Sequence, residues 1–185
     1  MLIKRLLFAL CLLVMATASH ASEPVDITIK TANLSQQQDS YFLNGRIHYS
    51  LSEEAIDALH HGVTLNFNVD VSIIEPRRWL WSKHHHNIQL SYQIKYHTLA
   101  EIYQVSRPQD IGQHNFASLD AALHAMGSLN EIPIHAMSGN QLTDYYLALD
   151  AYLNIEALPL PMRPLAYLSP GWHLQSNHYL WSPQQ

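Results

Sequence analysis

The sequence predicts a mainly β (α+β) fold, either an antiparallel β-sandwich or a curled sheet with two short flanking helices. Apolar and polar residues alternate over two long segments, residues 63–73 and 88–96, so that every second side chain is apolar. Strands with one apolar face are typical of antiparallel sheets, because parallel sheets bury both faces. Two short segments, residues 52–59 and 118–126, have the spacing of helices with one apolar face.

The N-terminus has the layout of a cleavable secretory leader. A short basic start precedes an apolar run from Leu6 to Ala16, and Ser19-His20-Ala21 suits a signal peptidase. The apolar run is roughly half of the ~20 residues that a helix needs to cross a bilayer. We therefore expect residues 1–21 to be a signal peptide. Residues 22–185 are expected to form a single soluble β-rich domain in the periplasm, not an integral membrane protein after cleavage.

Composition narrows the classes of function. Loss of Lys4 and Arg5 with the leader would change the formal net charge from −5 to −7, which argues against nucleic acid as a partner. The single cysteine, Cys11, lies in the leader, so the mature chain would have no thiol for a disulfide, a nucleophile or a thiolate metal site. Phosphate-binding loops, nucleophile elbows and zinc-protease helices are absent from the sequence. We expect no enzymatic activity and no cofactor.

The remaining strands follow from the same alternation. The two long strands are expected to pair with each other through the loop between them. Around residues 98–100 the alternation of apolar and polar residues is interrupted before it resumes. This interruption predicts a bulge or a corner where the chain changes sheet. The shorter strands are expected over residues 25–29, 41–51, 145–155 and 173–181.

Each predicted helix has a start and a stop signal. Ser52 suits a capping position before two acidic residues, and Gly62 lies where that helix ends. The second helix begins at Ser118 and is closed by Gly127. Four prolines between Leu158 and Pro170 predict a rigid, extended or single-turn connector before the last strand.

Several short segments, taken in order, carry a family resemblance. They are Leu59-His60-His61-Gly62-Val63-Thr64-Leu65, Arg77-Arg78-Trp79-Leu80-Trp81, Leu90-Ser91-Tyr92 with Tyr103-Gln104-Val105, Leu158-Pro159-Leu160-Pro161-Met162-Arg163, and the ending Trp172-His173-Leu174-Gln175-Ser176 through Trp181. The sequence resembles the bacterial exported family catalogued as domain of unknown function 4390. The resemblance implies an exported protein of the bacterial cell envelope. It brings no catalytic residue, because the family supplies none.

One candidate binding segment combines cationic and aromatic side chains: Arg77, Arg78, Trp79 and Trp81. Tryptophan prefers interfaces and arginine contacts anions, so this segment is a candidate contact for an anionic membrane surface or for a partner. The alternative is structural, with the two tryptophans covering the end of the sheet and an arginine meeting an acid or a ring face.

Arg163 is the second candidate, because it lies inside the proline-rich connector. An arginine in such a position either binds a substrate or pairs with a carboxylate, for which Asp150 and Glu156 are the candidates. Pairing of this kind would fix the connector.

A histidine run, His84-His85-His86, is expected in the loop between the two long strands. Imidazole is a common ligand of zinc and copper, and His84 and His86 can reach one ion if the loop is extended. A metal site usually needs further ligands, and His97 is the one nearby in the sequence. A solvated loop is the competing interpretation.

These features together predict a periplasmic, non-enzymatic binding or interaction module of the cell envelope. Its partner would be an unknown envelope protein or periplasmic component, bound by a face or edge of the sheet where Tyr146 and Tyr152 add contact area. A histidine-based metal-binding protein is one alternative. A small outer-membrane β-barrel is another, because strands of about ten alternating residues also describe it.

Overall fold

The computed structural model describes residues 26–37, 40–75, 83–107, 112–134 and 146–182, with the backbone alone at residues 75 and 83–87. The leader predicted over residues 1–21 lies outside this part of the chain. The strands within it are β1 (Ile27–Gln37), β2 (Ser40–Tyr49), β3 (Leu65–Glu75), β4 (Lys83–His97), β5 (Ile102–Ser106), β6 (Gln113–Phe116), β7 (Ser128–Ile134), β8 (Tyr146–Leu153) and β9 (Tyr179–Trp181). The helices are α1 (Glu53–His60), α2 (Leu119–Met126) and α3 (Arg163–Leu168), with single 3-10 turns at Ile155–Ala157 and Pro170–Trp172.

The described strands form two antiparallel sheets. The small sheet has the order β1-β2-β7, and the large sheet has the order β6-β5-β4-β3-β8-β9. In the large sheet Leu65 of β3 pairs with Ile94 of β4. The two long predicted strands therefore exist and pair with each other as expected, because each keeps its apolar residues on one face of the same ladder.

The two sheets pack face to face around one apolar core. Their inner faces supply its largest buried side chains, among them Ile27, Leu43 and Ile47 from the small sheet and Leu65, Phe67, Ile94 and Leu149 from the large sheet. The ring of Tyr49 on β2 contacts the ring of Phe67 on β3. The predicted mainly β (α+β) fold, an antiparallel β-sandwich or a curled sheet with flanking helices, is confirmed.

The first two helices begin where the sequence predicts them. The Ser52 hydroxyl accepts a hydrogen bond from the Ala55 N–H at 3.1 Å, and the Ser118 hydroxyl accepts one from the Ala121 N–H at 3.3 Å. Gly127 ends α2, and its carbonyl accepts a hydrogen bond from the Ile47 N–H at 2.8 Å. In the described residues no helix is both long and apolar enough to cross a bilayer.

The predicted bulge or corner at residues 98–100 is wrong. These residues form a tight turn, in which the Ala100 N–H donates to the His97 carbonyl at 3.1 Å and Glu101 takes a positive φ of 52°. The chain reverses there and β5 pairs with β4 in the same sheet, with Tyr103 opposite Tyr96. The alternation of apolar and polar residues is interrupted here by a hairpin turn and not by a change of sheet.

The C-terminal segment also differs from the expectation. The last strand is limited to Tyr179–Trp181, preceded by an isolated bridge between Gln175 and Tyr152. The 3-10 turn at Pro170–Trp172 occupies the approach to it. The connector is more helical than predicted, since α3 has six residues; Pro164 fits its first turn, where no N–H partner is lost.

Strands β6 and β7 are absent from the sequence-based expectation. β6 has only four residues, and most of them are polar and exposed. β7 contains Pro133 and a left-handed residue, Glu131 with φ 48°. Both features argue against a regular strand in sequence, but they are tolerated here because β7 lies at the edge of the small sheet.

Candidate functional site

The connector between β8 and β9 is held by side chains grouped around Glu156. The Arg163 Nε donates to the Leu158 carbonyl at 2.9 Å, and its Nη1 lies 3.5 Å from the Glu156 carboxylate. The Tyr167 hydroxyl donates to the other oxygen of Glu156. This hydrogen bond to Glu156 raises the pKa of Tyr167 above its usual value. Three anchors therefore fix the start and the outer face of α3.

The outer surface of the connector is apolar. Leu160, Leu165 and Leu168 are 72%, 67% and 83% exposed, while Ala166 on the opposite side of α3 is fully buried. Three leucines within nine positions thus face outward on a segment whose backbone is fixed. We name Leu160, Leu165 and Leu168 the connector leucines.

A groove of about 450 Å³ lies beside the connector, and Leu160 is the connector leucine that lines it. One wall is the loop between α1 and β3, with Gly62, Val63 and Thr64; the other is the connector from Ala157 to Leu160, with Arg163 in the lining. Gly62 has a positive φ of 85°, which glycine adopts without strain, and its Cα faces open space. The groove lies open to solvent, and its lining is divided about evenly between polar and apolar surface, with His61, Thr64 and Arg163 among its polar residues.

The connector leucines offer apolar contact surface. In the described residues no group of three or more histidine, cysteine, aspartate or glutamate side chains is placed to hold a metal ion. The Arg163 guanidinium is already engaged by Leu158 and Glu156. Apolar surface with a paired charge at its border is suited to packing against another molecule.

The outer face of the large sheet carries a second polar arrangement, centred on Asp70 and Tyr152. The Tyr152 hydroxyl donates to Asp70 at 3.2 Å, and the Gln89 amide donates to Asp70 at 2.9 Å. Asp150 on β8 lies opposite Asp70 on β3 in the strand register. Its carboxylate lies 2.9 Å from His178 Nδ1. Tyr152 is therefore committed to the network within the sheet and adds less contact area than the sequence suggested.

The predicted site residues are distributed as follows. Arg163 lies at the start of α3 and meets Glu156, one of the two acids proposed for it. Arg77, Arg78, Trp79 and Trp81 lie outside the described residues, so their role in binding stays a prediction. The exposed Tyr146 begins β8.

The backbone of His84 and His86 belongs to β4 and not to a loop. His84 pairs with Ile74 and His86 with Ile73, so β4 carries one extra residue between these two pairs. The loop was expected because the alternation of apolar and polar residues begins only at Ile88, but an antiparallel ladder continues through polar residues as long as the backbone remains paired. Their metal binding stays a prediction.

Comparison of the sequence with protein-family models shows which family the chain belongs to. The sequence matches the model described as "Domain of unknown function (DUF4390)" over residues 25–182. The chain belongs to this family. Comparisons with curated proteins and with solved structures gave no match.

Two of the segments that carry the DUF4390 resemblance form this groove together. One contains Gly62, Val63 and Thr64 on the first wall, and the other runs from Leu158 to Arg163 on the opposite wall. They are far apart in sequence and adjacent in the fold. The connector leucines were missed by sequence reasoning, because the same leucine and proline run contains both the buried Leu158 and the exposed Leu160.

Proposed function

We propose that this DUF4390 protein is an exported, non-enzymatic binding module of the bacterial cell envelope, which docks a partner protein through the connector leucines and the adjoining groove. The observation that carries the proposal is the exposure of Leu160, Leu165 and Leu168 on one fixed segment. Contiguous exposed apolar surface on a folded protein marks interaction sites more often than single exposed residues do.

The surroundings of the connector leucines favour a protein over a lipid surface. Glu156 and Arg163 lie beside them as a charge pair, and apolar contact residues with a polar rim are the usual anatomy of a protein interface. The chain has a formal net charge of −5, which opposes adsorption to an anionic bilayer. The groove beside Leu160 gives a partner room to insert a side chain.

The rigidity of the connector supports the same conclusion. Arg163 and Tyr167 both bond to Glu156, and the 3-10 turn at Ile155–Ala157 precedes them. A surface that is ordered before binding loses less conformational entropy when the partner arrives.

Site-specific photo-crosslinking in intact cells tests the proposal. A photoreactive amino acid at position 165 is expected to capture a discrete partner protein, and the same group at position 180 is the matched control. Leu180 is also an exposed leucine, 53% exposed, but it lies on β9 outside the connector.

A pair of variants completes the test. Leu165→Gln combined with Leu168→Gln is expected to abolish the crosslink formed from position 160, whereas Leu180→Gln leaves it intact. The proposal fails if position 165 yields no product, or if the products from positions 165 and 180 are the same.

A further inference from the structure

A second groove, of about 260 Å³, lies between the small sheet and α2. Four basic side chains line it, Lys30, Arg46, His48 and His124, against one acidic side chain, Asp120. The protein as a whole is acidic, with 15 acidic residues against 10 lysines and arginines. This local reversal of charge is a feature that the connector surface does not explain.

Arg46 is held in place by α2. Its Nη1 donates to the His124 carbonyl at 3.3 Å and lies 3.4 Å from the His124 ring nitrogen. It also donates to the Ser128 hydroxyl, which in turn donates to the same carbonyl at 3.0 Å. The guanidinium is thus oriented before any ligand arrives, and these contacts involve one of its nitrogens.

Lys30 reaches the groove through an irregularity in β1. Ile29 pairs with Ile47 and Thr31 pairs with Arg46, so Lys30 is an extra residue between two ladder pairs. A bulge of this kind redirects a side chain from its regular position. In the part of the chain that the structure describes, no ion pair joins Lys30 or His48 to a carboxylate.

We propose that this groove binds a compact phosphate ester. Arginine forms paired hydrogen bonds with phosphate oxygens, and lysine supplies a mobile point charge. The groove has more volume than a bare phosphate needs, so it has room for a phosphate with a glycerol-sized or sugar-sized group attached. Such a group reaches the site either as a soluble ester or as a phospholipid headgroup.

Isothermal titration of the purified protein with glycerol 3-phosphate tests the soluble source, with glycerol as the uncharged control. Cosedimentation with phosphatidylglycerol vesicles, against phosphatidylcholine vesicles, tests the lipid source. Lys30→Glu is expected to weaken binding about tenfold or more, because it places a negative charge beside the phosphate. His48→Glu gives an independent second variant on an exposed side chain of the neighbouring strand.

Lys95→Glu is the matched control, since it makes the same charge change at an exposed position of β4, outside the lining of this groove. Binding of glycerol 3-phosphate that depends on Lys30 and not on Lys95 supports the site with a soluble ligand. The same dependence with phosphatidylglycerol vesicles alone supports it with a lipid headgroup. The proposal is overturned if neither probe binds, or if Lys30→Glu and Lys95→Glu weaken binding equally.

Discussion

The ring of Tyr49 meets the ring of Phe67 edge-on, with centroids 5.3 Å apart and an angle of 69° between their planes. Tyr49 belongs to the small sheet and Phe67 to the large one, so the contact joins the two layers of the sandwich. Both side chains are buried. Edge-to-face geometry of this kind adds to the energy of apolar burial.

Phe67→Ala is expected to lower the free energy of unfolding by about 3–5 kcal/mol, because it removes a fully buried ring and leaves a cavity between the sheets. Urea denaturation measures this change. Leu180→Ala, at an exposed position on β9, serves as the control and is expected to change stability by about 0.5 kcal/mol or less. Equal losses in the two variants would contradict the central place of Phe67.

Tyr49→Phe is expected to be neutral or to stabilise the protein by up to about 1 kcal/mol. The Tyr49 hydroxyl is buried and has no hydrogen-bond partner among the described residues. Removing it keeps the ring contact with Phe67 and relieves the cost of a buried polar group without a partner. Thermal melting of both proteins gives the comparison, and a clear loss of stability in the variant would show that the hydroxyl is satisfied.

Burial raises the pKa of Tyr49 far above its ordinary value of 10.0, and the neighbouring Tyr92 raises it further. The unfolded chain therefore releases this proton near pH 10 while the folded chain retains it. The contribution of Tyr49 to the free energy of unfolding is therefore fully present below pH 10. Above pH 10 this contribution declines by about 1.4 kcal/mol per pH unit. Urea midpoints between pH 9 and 11.5 are expected to fall less steeply in Tyr49→Phe, whereas Tyr146→Phe, at an exposed position, follows the unaltered protein.

Gly127→Ala is expected to destabilise the fold by at least about 2 kcal/mol. A Cβ at this position would lie 1.9 Å from the Ile47 carbonyl oxygen, which is backbone and cannot move aside cheaply. Gly112 offers the matched control, since its added Cβ would meet only the end of the His114 side chain at 3.5 Å. Denaturation midpoints of the two alanine variants should separate clearly; coincident midpoints would contradict the close approach.

The layered architecture was predictable wherever a strand has one apolar and one polar face. β3, β4 and β8 meet this condition, and the capping Ser52 and Ser118 mark their helices. Apart from the pairing of β3 with β4, the order of strands in each sheet was not predictable, because it depends on contacts between distant segments. Short edge strands such as β6 carry too few residues to show a period.

The candidate site was less accessible to sequence reasoning than the fold. Arg163 was singled out for its unusual position, and its partner Glu156 was among the acids proposed. The connector leucines were missed because leucine is counted as a core residue by default. Only the tertiary structure distinguishes Leu158, which is buried, from Leu160, which is exposed two positions later.

The order of strands in the small sheet has a consequence for biogenesis. β2 needs β7 to complete its ladder, and Tyr41 of β2 pairs with Ile134 of β7. β1 and β2 are close in sequence, so they can form a hairpin early in folding. β7 follows them in the chain only after strands β3 to β6 and helices α1 and α2. During that interval β2 has an unpaired border, which is a template for wrong partners. The yield of folded protein is therefore expected to depend on how soon β7 becomes available to pair with β2.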